Sequence, residues 1–109
     1  MPRDEVEAAY FTLLRAREEL SALRRWEEYL GDELRRLRRF TSEGDALADT
    51  VDRRLRRALR HTDGPLKEAL DACAAVIRDE QARLPERVAA AERFVEECER
   101  DHAALREGR

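Results

Sequence analysis

A seven-residue repeat of apolar side chains leaves this chain few ways to fold. Positions 6, 13, 20, 27 and 34 read Val, Leu, Leu, Glu, Leu, and positions 9, 16, 23, 30 and 37 read Ala, Ala, Leu, Leu, Leu. Steps alternating between three and four gather residues on one side of an α-helix; a strand would scatter them to both faces. Glu27 is the single break in this seam. A later row, positions 70, 77, 84, 91, 98 and 105, reads Leu, Ile, Leu, Ala, Cys, Leu. Two such seams predict helices zipped together antiparallel.

Whether the chain has enough apolar surface to fold is the next question. Leu, Ile, Val and Phe together number 23 of 109 residues, while charged residues make up 43% and aromatics 6%. That apolar share is near the level below which a chain stays disordered. Seventeen alanines and the strict spacing pull it to the folded side. Ala, Leu, Glu and Arg are strong helix formers and dominate the sequence, whereas strand-favouring residues are sparse. The expectation is a single all-α domain over 1–109: an elongated antiparallel helical hairpin or three-helix coiled-coil-like bundle with a thin core.

Glycine and proline mark the predicted ends. The first helix is predicted over about 4–40. "TSEGDA" follows, where Ser42 and Asp45 stand at capping-box spacing for a second helix from about 43. Gly31 lies inside the first helix and permits a slight bend. "HTDGPL" at 61–66 and Pro85 offer two places for a further reversal. If the chain turns at Gly64-Pro65, the last helix protrudes by nearly 40 Å at ~1.5 Å per residue. If it turns at Leu84-Pro85, a helix of 43–83, broken near 62–65, matches the first in length, and a short third helix covers 85–107. The second scheme is preferred. That third helix would cover Tyr10, Phe11 and Leu14, which point away from the seam.

The segment from Leu34 to Arg60 holds nine arginines and no lysine. On a helical wheel Leu34, Leu37 and Phe40 face inward, and Arg35, Arg36, Arg38 and Arg39 lie opposite. In the second helix Leu47, Val51, Leu55 and Ala58 form the inner face. Arg53, Arg56, Arg57 and Arg60 lie across from it, with Arg54 at the flank. From 35 to 60 these nine arginines meet Glu43, Asp45, Asp49 and Asp52, a surplus of five positive charges. The whole chain is at −3, so the remainder is at −8. Asp32–Arg36, Asp49–Arg53 and Asp52–Arg56 are favourable i,i+4 pairs, while Arg35–Arg39, Arg53–Arg57 and Arg56–Arg60 repel at the same spacing. Helix stability therefore does not account for the cluster. An anionic partner would.

The candidate contact residues are thus Arg35, Arg36, Arg38, Arg39, Arg53, Arg56, Arg57 and Arg60, at the tip of the predicted hairpin. The partner is another protein, acidic in character, and a homodimer is expected because the monomer core is thin. The competing reading is a nucleic-acid- or RNA-polymerase-binding factor using the same arginines. It is disfavoured by the net negative charge and by the lack of a helix-turn-helix, zinc-finger or base-stacking pattern. Arginine richness alone also follows from a GC-rich genome.

Other constellations are weaker. Glu99 and His102 form E-x-x-H, the spacing of a ferritin-like carboxylate site, with Glu96 a turn back. Completing it would require Glu27 and a second copy. The bland expectation is that His102 is frayed and exposed. Cys73 and Cys98 are read as small core residues and free thiols. Trp26 and Tyr29 are read as core packing. His61 has no triad around it, and no nucleophile, phosphate loop or paired carboxylates in a cleft stand out. The expectation is a non-enzymatic interaction or regulatory module without cofactor or metal. No apolar run approaches the ~20 residues of a membrane span. The N-terminus lacks a signal-peptide core, so a cytoplasmic location is expected.

Overall fold

A computed structural model describes residues 2–50 and 53–108, with side chains described at 4–46, 54–58, 61 and 64–108. The described residues form two helices, α1 (Pro2–Thr50) and α2 (Arg53–Glu107), and no strand. The all-α class read from the repeat holds.

The helix ends differ from those predicted. α1 does not stop at Phe40 but runs on through "TSEGDA". The Thr41 hydroxyl donates to the carbonyl of Leu37, one turn back in its own helix, so this segment turns its polar groups inward on α1. Gly44 has no positive φ, and a Cβ there would meet nothing within 4 Å. It is an ordinary helical residue costing ~1 kcal/mol against alanine, less than a second helix end with its unsatisfied backbone groups.

α2 likewise crosses both predicted reversals. Gly64 lacks the Cβ that would collide with the ring of Pro65, so the residue before proline stays helical there. At the second site Leu84, directly before Pro85, is 1% exposed. Its burial holds the backbone helical against the ring. There is no separate helix over 85–107 and no third helix among the described residues. Positions 51 and 52, between α1 and α2, lie outside the described residues.

The chain divides into two compact units, Met1–Glu27 with Arg83–Arg109, and Glu28–Ala82. In the first, Leu13 and Ala16 of α1 pack with Val95 and Cys98 of α2, and Leu20 packs against them. Two ion pairs fix the direction. Arg17 donates to Glu99 and Arg24 to Glu92, each at 3.3 Å. Seven residues forward on α1 is seven back on α2, one heptad in an antiparallel register. These side chains are about half exposed, so each pair contributes at most ~1 kcal/mol. The apolar seam supplies the stability.

In the second unit Leu30 and Leu34 are buried, and Leu37, Leu70, Ala74 and Ile77 are half-buried. Leu37 and Thr41 share a hollow with Leu70 and Ala74. Further along, Phe40 and Gly44 line one with Gly64 and Lys67. Numbers rise on α1 as they fall on α2, so this unit is antiparallel too.

The seam positions of α1 are buried or half-buried at every predicted residue except Glu27, which is exposed. Those of α2 at 70, 77, 84, 91, 98 and 105 are buried or half-buried as well. A companion row on α2 was not read: Ala74, Gln81, Val88, Val95 and His102 complete its 3–4 alternation. Gln81 and His102 interrupt its apolar character, and this concealed the buried Val95.

Candidate partner-binding surface

The structure places the arginines of both helices in the unit formed by Glu28–Ala82. Arg35, Arg36, Arg38, Arg39, Arg56 and Arg57 are exposed, as is Arg54 at the flank. The side chains of Arg53 and Arg60 lie outside the described residues, as do those of Leu47, Val51 and Leu59, while Leu55 and Ala58, expected on the inner face, are exposed. Exposure follows from the wheel: an arginine opposite Leu34 and Leu37 has no route to the seam.

Local pairing neutralises some of these charges. Arg35 pairs with Asp32 and Arg36 with Glu33, both one turn back on α1. The pairs close at i,i+3, so Asp32 is taken by Arg35 rather than Arg36. Arg38, Arg39, Arg54 and Arg57 make no ion pair with another described residue. On α2, Arg54, Arg57 and His61 share one side and line an open hollow of about 380 Å³. Their i, i+3, i+7 spacing stacks three basic groups, which draws His61 into the cluster. Its position within the "HTDG" segment had suggested a loop, which hid this alignment.

The two arginine groups are separate. Arg38 shares a hollow with Ala74. Ala74 is 17 residues along α2 from Arg57, roughly 25 Å of helix. With α1 running to Thr50 rather than ending near 40, only the α2 group lies close to a helix end.

Several aromatic and thiol side chains sit differently from their sequence reading. Phe40, read as inward, is 53% exposed; Trp26 is 40% and Tyr29 52% exposed. Each stands next to the seam rather than on it, and no further helix among the described residues encloses it. Tyr10 and Phe11 are 44% and 64% exposed for the same reason, while Leu14 is half-buried. Cys73 is exposed rather than in the core, because it neighbours the Leu70–Ala74–Ile77 row without belonging to it. His102, expected to fray, is half-buried with its ring 5.6 Å from that of Tyr10. Val6, Tyr10, Phe11, His102 and Arg106 border an open groove of about 620 Å³.

The E-x-x-H residues are engaged elsewhere. Glu99 accepts from Arg17, and Glu27 is exposed. Among the described residues no three His, Cys, Asp or Glu side chains are grouped to hold a metal ion, and no helix is long and apolar enough to cross a membrane.

Cys98 is free and 5% exposed. Burial pushes its thiol up, and the carboxylates of Asp101 and Glu97 push the same way. The folded state therefore holds this proton more tightly than the unfolded chain does. The resulting stability is complete below the ordinary thiol value of 9.0 and is lost as pH rises through the raised value. Two results are expected. In dilute native protein an alkylating reagent takes Cys73 and spares Cys98 until the chain is denatured. The urea midpoint also falls from about pH 8 to about pH 11 by more in the wild type than in Cys98→Ala. Equal labelling of both thiols, or equal alkaline decline, contradicts this environment.

What the geometry defines is a helical surface bearing two cationic groups and exposed apolar side chains. No protein-family model, no curated protein and no solved structure matches the chain.

Proposed function

We propose that the chain is a non-enzymatic helical interaction module that associates with a second copy of itself and uses its arginines to contact an acidic protein partner. The observation that supports this is the set Arg38, Arg39, Arg54 and Arg57, exposed and without an ion pair to another described residue. Helix propensity does not require arginine at these positions; alanine, glutamate or lysine would serve as well. Exposed cations not held in such a pair are available to steer and orient an anionic surface. The partner is read as protein rather than nucleic acid because the chain is net negative and Phe40 is the one aromatic in the arginine segment. A location in the cytoplasm fits the same reading.

The test compares a labelled polyglutamate peptide with a random-sequence duplex and a single-stranded RNA at low and moderate salt. The wild type is expected to bind polyglutamate most tightly. Serine at positions 38, 39, 54 and 57 together is expected to weaken it at least about tenfold, since each lost contact to a charged group is worth ~1 kcal/mol or more. Tighter binding of duplex or RNA, with a steep salt slope, transfers the arginines to the nucleic-acid reading. Unchanged polyglutamate binding in the variant removes them from any anion contact.

A further inference from the structure

The unit formed by Glu28–Ala82 carries a second apolar row that its own helices leave open. On α2 the row is Leu66, Ala69, Cys73 and Val76, at i, i+3, i+7 and i+10. This is heptad spacing again, one step aside from the Leu70–Ala74–Ile77 row that packs on α1. All four are exposed, Leu66 at 47% and Val76 at 62%. α1 contributes to the same side. Phe40 and Leu66 line one hollow, and Tyr29 stands three turns before Phe40 on the same line of α1. Between them Glu33 and Arg36 neutralise each other.

We infer that this face is covered by the same face of a second copy of the chain, and that Cys73 and Val76 lie inside the contact. This rests on the self-association part of the functional reading and names its surface.

Three observations favour a second copy. The unit is thinly built: Leu30 and Leu34 are its buried core residues among those described. A helix apolar on two adjacent rows requires packing on two sides, and α1 supplies one. The face is also self-complementary. A twofold contact sets a surface against itself, which disfavours net charge, and the charges on this side balance: Glu33 pairs with Arg36, and Asp45 and Lys67 line the hollow of Phe40 and Leu66 together. An acidic partner would find no cation in the row of Leu66, Ala69, Cys73 and Val76.

The test uses the full chain. Sedimentation equilibrium over a dilution series is expected to give twice the 12.7 kDa chain mass. Cys73→Glu with Val76→Glu is expected to raise the dimer dissociation constant about 100-fold, the effect of charging the centre of an interface. Phe11→Glu with Phe94→Glu, in the other unit, is expected to leave it unchanged. A measurement on the wild type guards against a variant that fails to fold. Alkylation of Cys73 is expected to slow about tenfold once nine-tenths of the chain is dimer, because only the monomer presents the thiol.

A monomer at every concentration overturns the inference. So does a dimer that survives the Cys73 and Val76 changes, a dimer abolished by the Phe11 and Phe94 changes, or a Cys73 rate indifferent to concentration. Serine at positions 38, 39, 54 and 57 should leave the dimer intact. Loss of polyglutamate binding with the dimer retained therefore concerns the arginines, and loss of the dimer with that binding retained concerns this face.

Discussion

Leu84→Ala is expected to remove about 2–5 kcal/mol of stability, the range for truncating a buried leucine whose surroundings relax only partly. Leu84 is 1% exposed, the lowest of the described residues that form the core. That core consists of Leu13, Ala16, Leu30, Leu34, Leu84, Val95 and Cys98, two of them no larger than alanine or cysteine. Such a set has little redundancy. A domain of this size has a total stability of about 5–15 kcal/mol, so one methyl-lined cavity consumes a large share of it. Leu84 also stands directly before Pro85, where the chain is held helical against a steric preference for extended backbone. Removing the side chain weakens the packing and that constraint together. Urea unfolding followed by helical circular dichroism at one fixed protein concentration checks this. Phe11→Ala, at a residue 64% exposed, serves as the comparison and is expected to cost less than about 1 kcal/mol. A loss below 1 kcal/mol at Leu84 would mean that the seam is not what holds the helices.

The second large effect runs the other way. Pro85→Ala is expected to stabilise the chain by about 2 kcal/mol. A proline in a helix interior costs ~3 kcal/mol relative to alanine, partly offset by the entropy it removes from the unfolded chain. Pro85 lies inside α2 and is exposed. It cannot donate to the carbonyl of Gln81, one turn earlier, and its ring crowds that carbonyl. Alanine restores the donor and removes the crowding without disturbing the seam, since position 85 does not belong to it. For a domain of this length, 2 kcal/mol corresponds to a rise in Tm of roughly 10 °C. A variant whose Tm stays level or falls would show that the backbone around 85 is not continuously helical in solution.

Much of this fold is written in residue spacing. The seam of α1 could be named from Val6 to Leu37, because a 3–4 repeat is a local property that survives any tertiary arrangement. The outward direction of the arginines followed from the same wheel. The helix ends did not follow. Ser42–Asp45, Gly64-Pro65 and Leu84-Pro85 each carry local punctuation worth ~1–3 kcal/mol, and a helix nevertheless runs on through each. Cys73, Phe40 and His102 were misplaced for a related reason: one step around a helix is 100°, and whether a flanking residue is covered depends on what lies beside the pair.

The sequence by itself therefore determined the class, the seam residues of both helices apart from Glu27, and the outward direction of the described arginines, since all three depend on periodicity along one chain. The tertiary structure alone decided where the helices end, that His61 joins Arg54 and Arg57, and that Leu66, Cys73 and Val76 are left open. Those outcomes depend on which residues meet across two helices. That register is fixed by distant contacts such as Leu13 with Cys98, and no local signal encodes it.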